Sequence, residues 1–319
     1  MSRHWAQHRE AGQLFGMRIL VWIHNHVGRA AFSLALLPVM AYFFVRRGEA
    51  RRASREYLVR VRRCYPEALG RRPTMWMSFR QFVTFGQSLL DKYLAWVQAP
   101  SGIAMDPDQE KMLFDAVASG RGCLLIGSHF GNLEYSRGIA HRHPTLIINV
   151  LMYDEHAQKF AALLERSAPE SRVNLIQVTE VDFALALRLK EKVRDGEWVV
   201  IAGDRVPVSR GERVCHAEFF GEIAKFPVGP YVLASLLQCP VYLLHCFRDT
   251  GRYRLVMEFF NEEVELPREN RQLALEKNAQ KFATALERQV ARAPLQWFNF
   301  FDFWHVEERS GRATVEAGS

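Results

Sequence analysis

Nowhere in the 319-residue chain do 20 apolar residues follow one another, roughly the length a helix needs to cross the hydrocarbon core of a bilayer. The longest mainly apolar run, Ala30 to Val45, has 16 residues and contains Pro38; as a helix it would extend only about 24 Å. A shallow or re-entrant insertion is therefore as open as a crossing. Upstream, Leu14 to Val27 is broken by Arg18, His24, Asn25 and His26. A secretory signal is not expected, because the apolar run is followed by Arg46-Arg47-Gly48-Glu49-Ala50-Arg51-Arg52 and not by a small-residue cleavage site. The five cysteines are scattered and form no Cys-x-x-Cys pair, which leaves no zinc or dithiol motif and fits a reducing compartment. Cys123, Cys239 and Cys246 lie in apolar runs and read as small core residues. No repeat of 20 to 50 residues and no low-complexity tract is visible, so a solenoid or coiled coil has no support.

Acidic residues are scarce in one part of the chain. Residues 1 to 100 hold 16 Lys and Arg against 5 Asp and Glu, a net charge of +11, whereas the remainder is at −4, making +7 in all. Arg46, Arg47, Arg51, Arg52, Arg55, Arg60, Arg62 and Arg63 follow directly on the apolar run. Arginines beside an apolar anchor suit an anionic membrane surface, and under the positive-inside tendency they place this end at the cytoplasmic face. Nucleic acid is not an expected partner, since no nucleic-acid-binding module accompanies the basic cluster.

Between Thr74 and Val97 apolar residues recur at helical spacing, at Met75, Phe79, Phe82, Val83, Leu89, Leu90, Tyr93, Leu94 and Val97. Ala99 to Asp108, with two prolines and Gly102, reads as a hinge. This divides the chain into an N-terminal membrane-associated helical region, 1–98, and a catalytic body, 99–319. In the body, short apolar runs at Cys123 to Ile126, Thr145 to Met152, Val173 to Val178, Trp198 to Ala202, Val241 to Phe247 and Tyr253 to Phe259 read as strands. Helical stretches at Glu155 to Arg166, Val181 to Arg194 and Gly229 to Leu237 lie between them. Strands alternating with helices predict an α/β fold. Asn270 to Ala291 reads as a surface helix, and the aromatic segment Gln296 to His305 needs a core or a bilayer to cover it.

The element Gly127-Ser128-His129-Phe130-Gly131-Asn132-Leu133-Glu134 follows the first of these strands, where open α/β sheets carry their sites. Imidazole suits proton transfer near neutrality, and a carboxylate near it can hold its tautomer. His129 is thus a candidate general base and Glu134 its partner. Five residues of regular helix would put the two about 140° apart, so their meeting requires an irregular turn, which Gly131 permits. Asn132 reads as a cap for the following helix, and the N–H groups of the turn as donors to a developing oxyanion. Gly-Ser-His-Phe-Gly is not a Gly-x-Ser-x-Gly elbow, so direct transfer is expected and not a serine acyl-enzyme. His141, His143, Asp154 and His156 match no familiar ligand spacing, and no metal site is expected.

Ser128-His129-Phe130-Gly131-Asn132-Leu133-Glu134 resembles the His-x4-Asp/Glu block of the glycerolipid acyltransferase superfamily, and within it the late lauroyl/myristoyl acyltransferases of lipid A assembly. Gly203-Asp204-Arg205, Glu218-Phe219-Phe220-Gly221, Ala224 to Pro230 and Cys239-Pro240-Val241 resemble that family's next region in the same order, and Pro294 to Phe300 its C-terminal signature. The resemblance implies a glycerol-3-phosphate acyltransferase-like sheet with flanking helices. It also implies transfer of a fatty acyl chain from acyl carrier protein or coenzyme A to a hydroxyl of a membrane lipid acceptor at the inner membrane, with no metal or redox cofactor. His129 and Glu134 carry over as the catalytic pair, and Asn132, Asp204, Arg205, Phe226 and Pro227 as residues lining the substrate site. The Gly-Asp-Arg form departs from the closest lipid A enzymes, and the pattern is closer to relatives in aryl polyene or other specialised lipid pathways. Two alternatives stay open on the residues alone: a membrane-bound acyl thioesterase, with water in place of the acceptor, and a noncatalytic lipid-binding protein. Arg205 reads either as a phosphate ligand or as an internal ion pair with Asp204 or Glu218.

Overall fold

The computed structural model describes residues 19–97, 102–143, 145–152, 173–178, 183–206 and 214–304. After a helical stretch at 19–27 come α1 (Arg29–Arg46), α2 (Gly48–Cys64), the single turn α3 (Pro66–Leu69), α4 (Met75–Val97) and α5 (Pro107–Ala118). The body continues with β1 (Leu124–Gly127), a 3-10 turn (Leu133–Ser136), α6 (Arg137–Arg142), β2 (Ile148–Met152), β3 (Val173–Gln177), α7 (Phe183–Arg194) and β4 (Trp198–Ala202). It closes with β5 (Val214–Phe219), β6 (Glu222–Pro227), α8 (Gly229–Leu237), β7 (Val241–Asp249), β8 (Arg252–Asn261) and α9 (Arg271–Arg292). The predicted strands are all present, and α4, α8 and α9 lie within a residue or two of their expected bounds. The predicted helix at Glu155 to Arg166 lies outside the described residues.

Six strands form one sheet in the order β3-β2-β4-β1-β7-β8, parallel except for β8, which runs antiparallel to β7. β1 is central, and Leu124, Leu125 and Ile126 are fully buried, as expected of a parallel strand covered on both faces. β5 and β6 make a separate antiparallel hairpin that the sequence reading did not identify. Its inward residues Cys215, Ala217, Phe219 and Phe226 are buried beneath α9. α9 presents Leu275, Ala279, Phe282, Leu286 and Val290 to this core at helical spacing.

The N-terminal helices pack into the body. Tyr57, Leu58 and Val61 of α2 are fully buried in the same cluster as Leu124, Phe219 and Trp297. Burial of each such side chain contributes about 1.5–3 kcal/mol. α1 lays Phe32, Leu36 and Met40, one residue per turn, onto Phe82 and Leu90 of α4. The contact is close because Gly86 lacks a side chain: a Cβ there would lie 2.9 Å from Met40 Sδ. The segment read as a hinge is partly fixed, since Ala104 exchanges backbone hydrogen bonds with Tyr253 and Leu255 of β8, both 2.8 Å long. The aromatic C-terminal segment is covered in part by protein: Trp297 is fully buried among Tyr57, Phe219 and Phe303, whereas Phe301 is 46% exposed.

Candidate active site

β1 and β4 are parallel neighbours in which Gly127 pairs with Ala202. Two residues beyond each, at the carboxyl ends of the strands, stand His129 and Asp204. Register alone therefore brings together residues 75 positions apart. Asp204 is fully buried, and its carboxylate accepts three hydrogen bonds. These come from His129 Nδ1 (2.8 Å), the His129 backbone N–H (2.8 Å) and Trp297 Nε1 (3.1 Å). Burial alone would raise the Asp204 pKa. The charge and hydrogen bonds of His129, with Arg205, outweigh burial and hold the carboxyl below its ordinary value. The network assigns the proton on the imidazole to Nδ1, leaving Nε2 as the acceptor. The His129 side chain is 34% exposed, so solvent reaches a ring whose far side is fixed.

The expected His129–Glu134 pair is not formed. Gly131 has φ of 73° and approaches so near to β7 that a Cβ would lie 2.1 Å from the Cys246 carbonyl oxygen. Beyond this turn the 3-10 segment carries Glu134 toward α4, where it forms an ion pair with Lys92. Asn132 does not cap the following helix with its side chain. In the orientation that satisfies both ends of its amide, the nitrogen donates to Glu134 Oε2 (2.9 Å) and the oxygen accepts from the Lys92 backbone N–H (3.0 Å). The expected oxyanion donors are also engaged elsewhere. Phe130 N–H donates to Ser128 Oγ, Gly131 N–H to Gln296 O (2.8 Å) and Asn132 N–H to Cys246 O (2.6 Å).

Arg205 is exposed and donates to the Phe298 carbonyl (3.0 Å), while the Phe298 N–H donates to His129 O (3.2 Å). The C-terminal segment thus supports both the histidine and the arginine. Phe226 and Pro227 are buried, and Phe226 packs against Phe219, Phe282 and Phe303. They serve the core in this structure and present no surface to a substrate. Behind His129, His245 of β7 is 1% exposed and lies 3.3 Å from Ser128 Oγ through Nδ1. Burial lowers its pKa to about 4, so it is neutral in the folded protein near pH 7. Sequence reasoning did not single out Trp297 or His245; both act through contacts distant in the chain. Cys123, Cys215, Cys239 and Cys246 are free and buried. Among the described residues no group of three His, Cys, Asp or Glu side chains is arranged to hold a metal, and Asp154 and His156 lie outside them.

A partly exposed histidine held by a buried aspartate at parallel strand ends offers its second imidazole nitrogen for proton transfer. The family model described as bacterial lipid A biosynthesis acyltransferase matches residues 9–305. The chain belongs to this family. Among curated proteins no relative matches it. Membership in the lipid A acyltransferase family makes it an acyltransferase acting on lipid. Members of the family are typically membrane-associated, and α1 is one helix among the described residues long and apolar enough to cross a membrane.

Proposed function

We propose that the protein transfers a fatty acyl chain from an acyl carrier protein or coenzyme A thioester to a hydroxyl of a lipid or glycolipid acceptor. The reaction takes place at the cytoplasmic face of the inner membrane. The hydroxyl oxygen attacks the thioester carbonyl carbon as His129 Nε2 takes its proton. Collapse of the tetrahedral intermediate forms the ester and breaks the carbon–sulfur bond, and the departing thiolate receives the proton from the imidazolium. Asp204 keeps Nδ1 protonated and stabilises the imidazolium that forms. Glu134, with Lys92 and Asn132, ties the loop carrying His129 to α4. The exposed Arg205 guanidinium is suited to a phosphate on donor or acceptor. The reading needs no metal or redox cofactor, since the thioester already carries an activated acyl group.

The observation that carries this reading is the His129–Asp204 contact within a chain of this family. Its test is lipid mass spectrometry of the native host carrying wild-type or His129→Ala protein at matched membrane levels. Loss of one acyl mass from a single lipid, with accumulation of its hydroxyl precursor, is expected. An unchanged lipid profile with folded variant present would contradict the role of His129. Release of free fatty acid without an acylated lipid would identify a thioesterase instead.

A further inference from the structure

We infer that α1 lies in the plane of an anionic membrane surface and does not cross the bilayer. The inference deepens the proposed function by stating how the protein meets the membrane that holds its acceptor. The outward side of α1 is apolar and open: Leu34 is 70%, Val45 69% and Tyr42 60% exposed, with Leu37 and Val39 also exposed. Trp22 precedes the helix, and Trp76 stands beside its far end through Phe79 and Phe44; both indoles are more than half exposed. Tryptophans near both ends of an apolar face suit the headgroup boundary.

The inward side of α1 packs along its length against α4 and, at its end, against the start of α2. Arg29, its first residue, forms a 2.8 Å ion pair with buried Asp91 of α4. In the middle, Leu36 and Met40 sit over Gly86. Near the end, Phe44 meets Phe79 and Phe82 edge-on, and Arg51 donates to the Phe44 carbonyl (2.6 Å). A crossing α1 would therefore draw α4 into the hydrocarbon with it. α4 carries Asp91, bonded to the Tyr253 hydroxyl (2.7 Å), and Gln81, bonded to Trp297 O (2.7 Å). It also carries Lys92, paired with Glu134 of the catalytic loop. Placing those charges and that loop at bilayer depth is costly; an in-plane helix leaves them on the aqueous side.

Charge identifies the kind of surface. Arg46 ends α1 and Arg47, Arg52 and Arg55 follow it; all four are exposed and make no ion pair among the described residues. Arg60 and Arg63, further along, are held by Glu222. Four uncommitted guanidinium groups beside an apolar face complement anionic headgroups.

The test uses the full chain with Cys64→Ser and single nitroxide labels at Ala30→Cys, Leu34→Cys, Leu37→Cys, Ala41→Cys and Val45→Cys. Each is bound to vesicles of phosphatidylethanolamine and phosphatidylglycerol, and label depth is read from oxygen and nickel-chelate accessibility. All five labels are expected at one shallow depth, within roughly 5–10 Å of the headgroup boundary. A profile that deepens toward Leu37 and becomes shallow again at both ends would overturn the inference, as would absence of binding. Replacing Arg46, Arg47, Arg52 and Arg55 with Gln should weaken binding to the anionic vesicles on the order of 1,000-fold and leave binding to phosphatidylcholine vesicles unchanged; unchanged anionic binding would overturn the charge argument. Depth is independent of turnover, so a failed orientation leaves the acyltransferase reading standing. Absent acyl transfer would likewise leave the depth profile intact.

Discussion

Two carboxylates could be partners of His129, Asp204 by contact in the fold and Glu134 by closeness in the chain, and their surroundings differ. Asp204 is fully buried, accepts three hydrogen bonds and reaches the histidine through the register of two central strands. Glu134 is five residues from His129 in the chain, lies at the edge of the body and pairs with Lys92, whose side chain is 34% exposed. Proximity in sequence marks the less constrained of the two. A carboxylate that holds a base in one tautomer must itself be fixed, and only a buried, multiply bonded group meets that condition.

The contrast breaks most directly at the base. His129→Ala should lower acyl transfer by about 10²–10⁴-fold, the range for loss of a general base, as measured by product formation in isolated membranes. Asp204→Ala should also cost roughly 3–5 kcal/mol of stability in denaturant melts, because it leaves the His129 N–H groups and the Trp297 indole without their acceptor. The pH dependence has a definite sign. The folded-state pKa of Asp204 is lowered, so its contribution is complete above the ordinary carboxylate range and is lost as pH falls through the lowered value. Asp204→Asn should remove that acid-side loss.

His245 shifts stability in the same direction, in a window at higher pH. Its folded pKa is about 4, against an ordinary value near 6.5. Between these limits the unfolded chain binds a proton that the native chain refuses, so stability declines as pH falls through that window, by roughly 3 kcal/mol in all. His245→Gln should abolish this slope in urea titrations from pH 7 down to pH 4.5. Gly131→Ala tests the turn that separates the two carboxylates: a positive φ and a contact with the Cys246 carbonyl should cost at least about 2 kcal/mol in thermal or urea unfolding. The smallest effect belongs to the edge pair. Glu134→Gln should lower stability by no more than about 1 kcal/mol, as for a partly exposed ion pair.

Much of the architecture is legible in the chain. Continuous apolar runs bounded by turns mark the sheet, and β4 (Trp198–Ala202) and α8 (Gly229–Leu237) fall where expected. The β5–β6 hairpin was missed although Cys215, Ala217 and Phe219 alternate inward and the turn contains Gly221, because its strands carry polar residues on the open face. At the site, His129 is visible from its motif and its place after a strand. Its partner is not, since nothing local in Gly203-Asp204-Arg205 states that Ala202 pairs with Gly127. The oxyanion expectation failed for a related reason: the N–H groups of Phe130, Gly131 and Asn132 are satisfied by a nearby serine and by carbonyls from β7 and the C-terminal segment. The first 18 residues and the segment 153–172, which includes the expected helix after β2, lie outside the described structure.

The most direct test of the account compares Asp204→Asn with Glu134→Gln in the same membranes. Both are near-isosteric, and protein levels are matched while the rate of acyl transfer to the lipid acceptor is followed by mass spectrometry. Asp204→Asn should lose at least about 100-fold in rate, while Glu134→Gln stays within about tenfold of wild type. A collapse of activity in Glu134→Gln with Asp204→Asn nearly unaffected would contradict the assignment of Asp204 as the residue that orients His129.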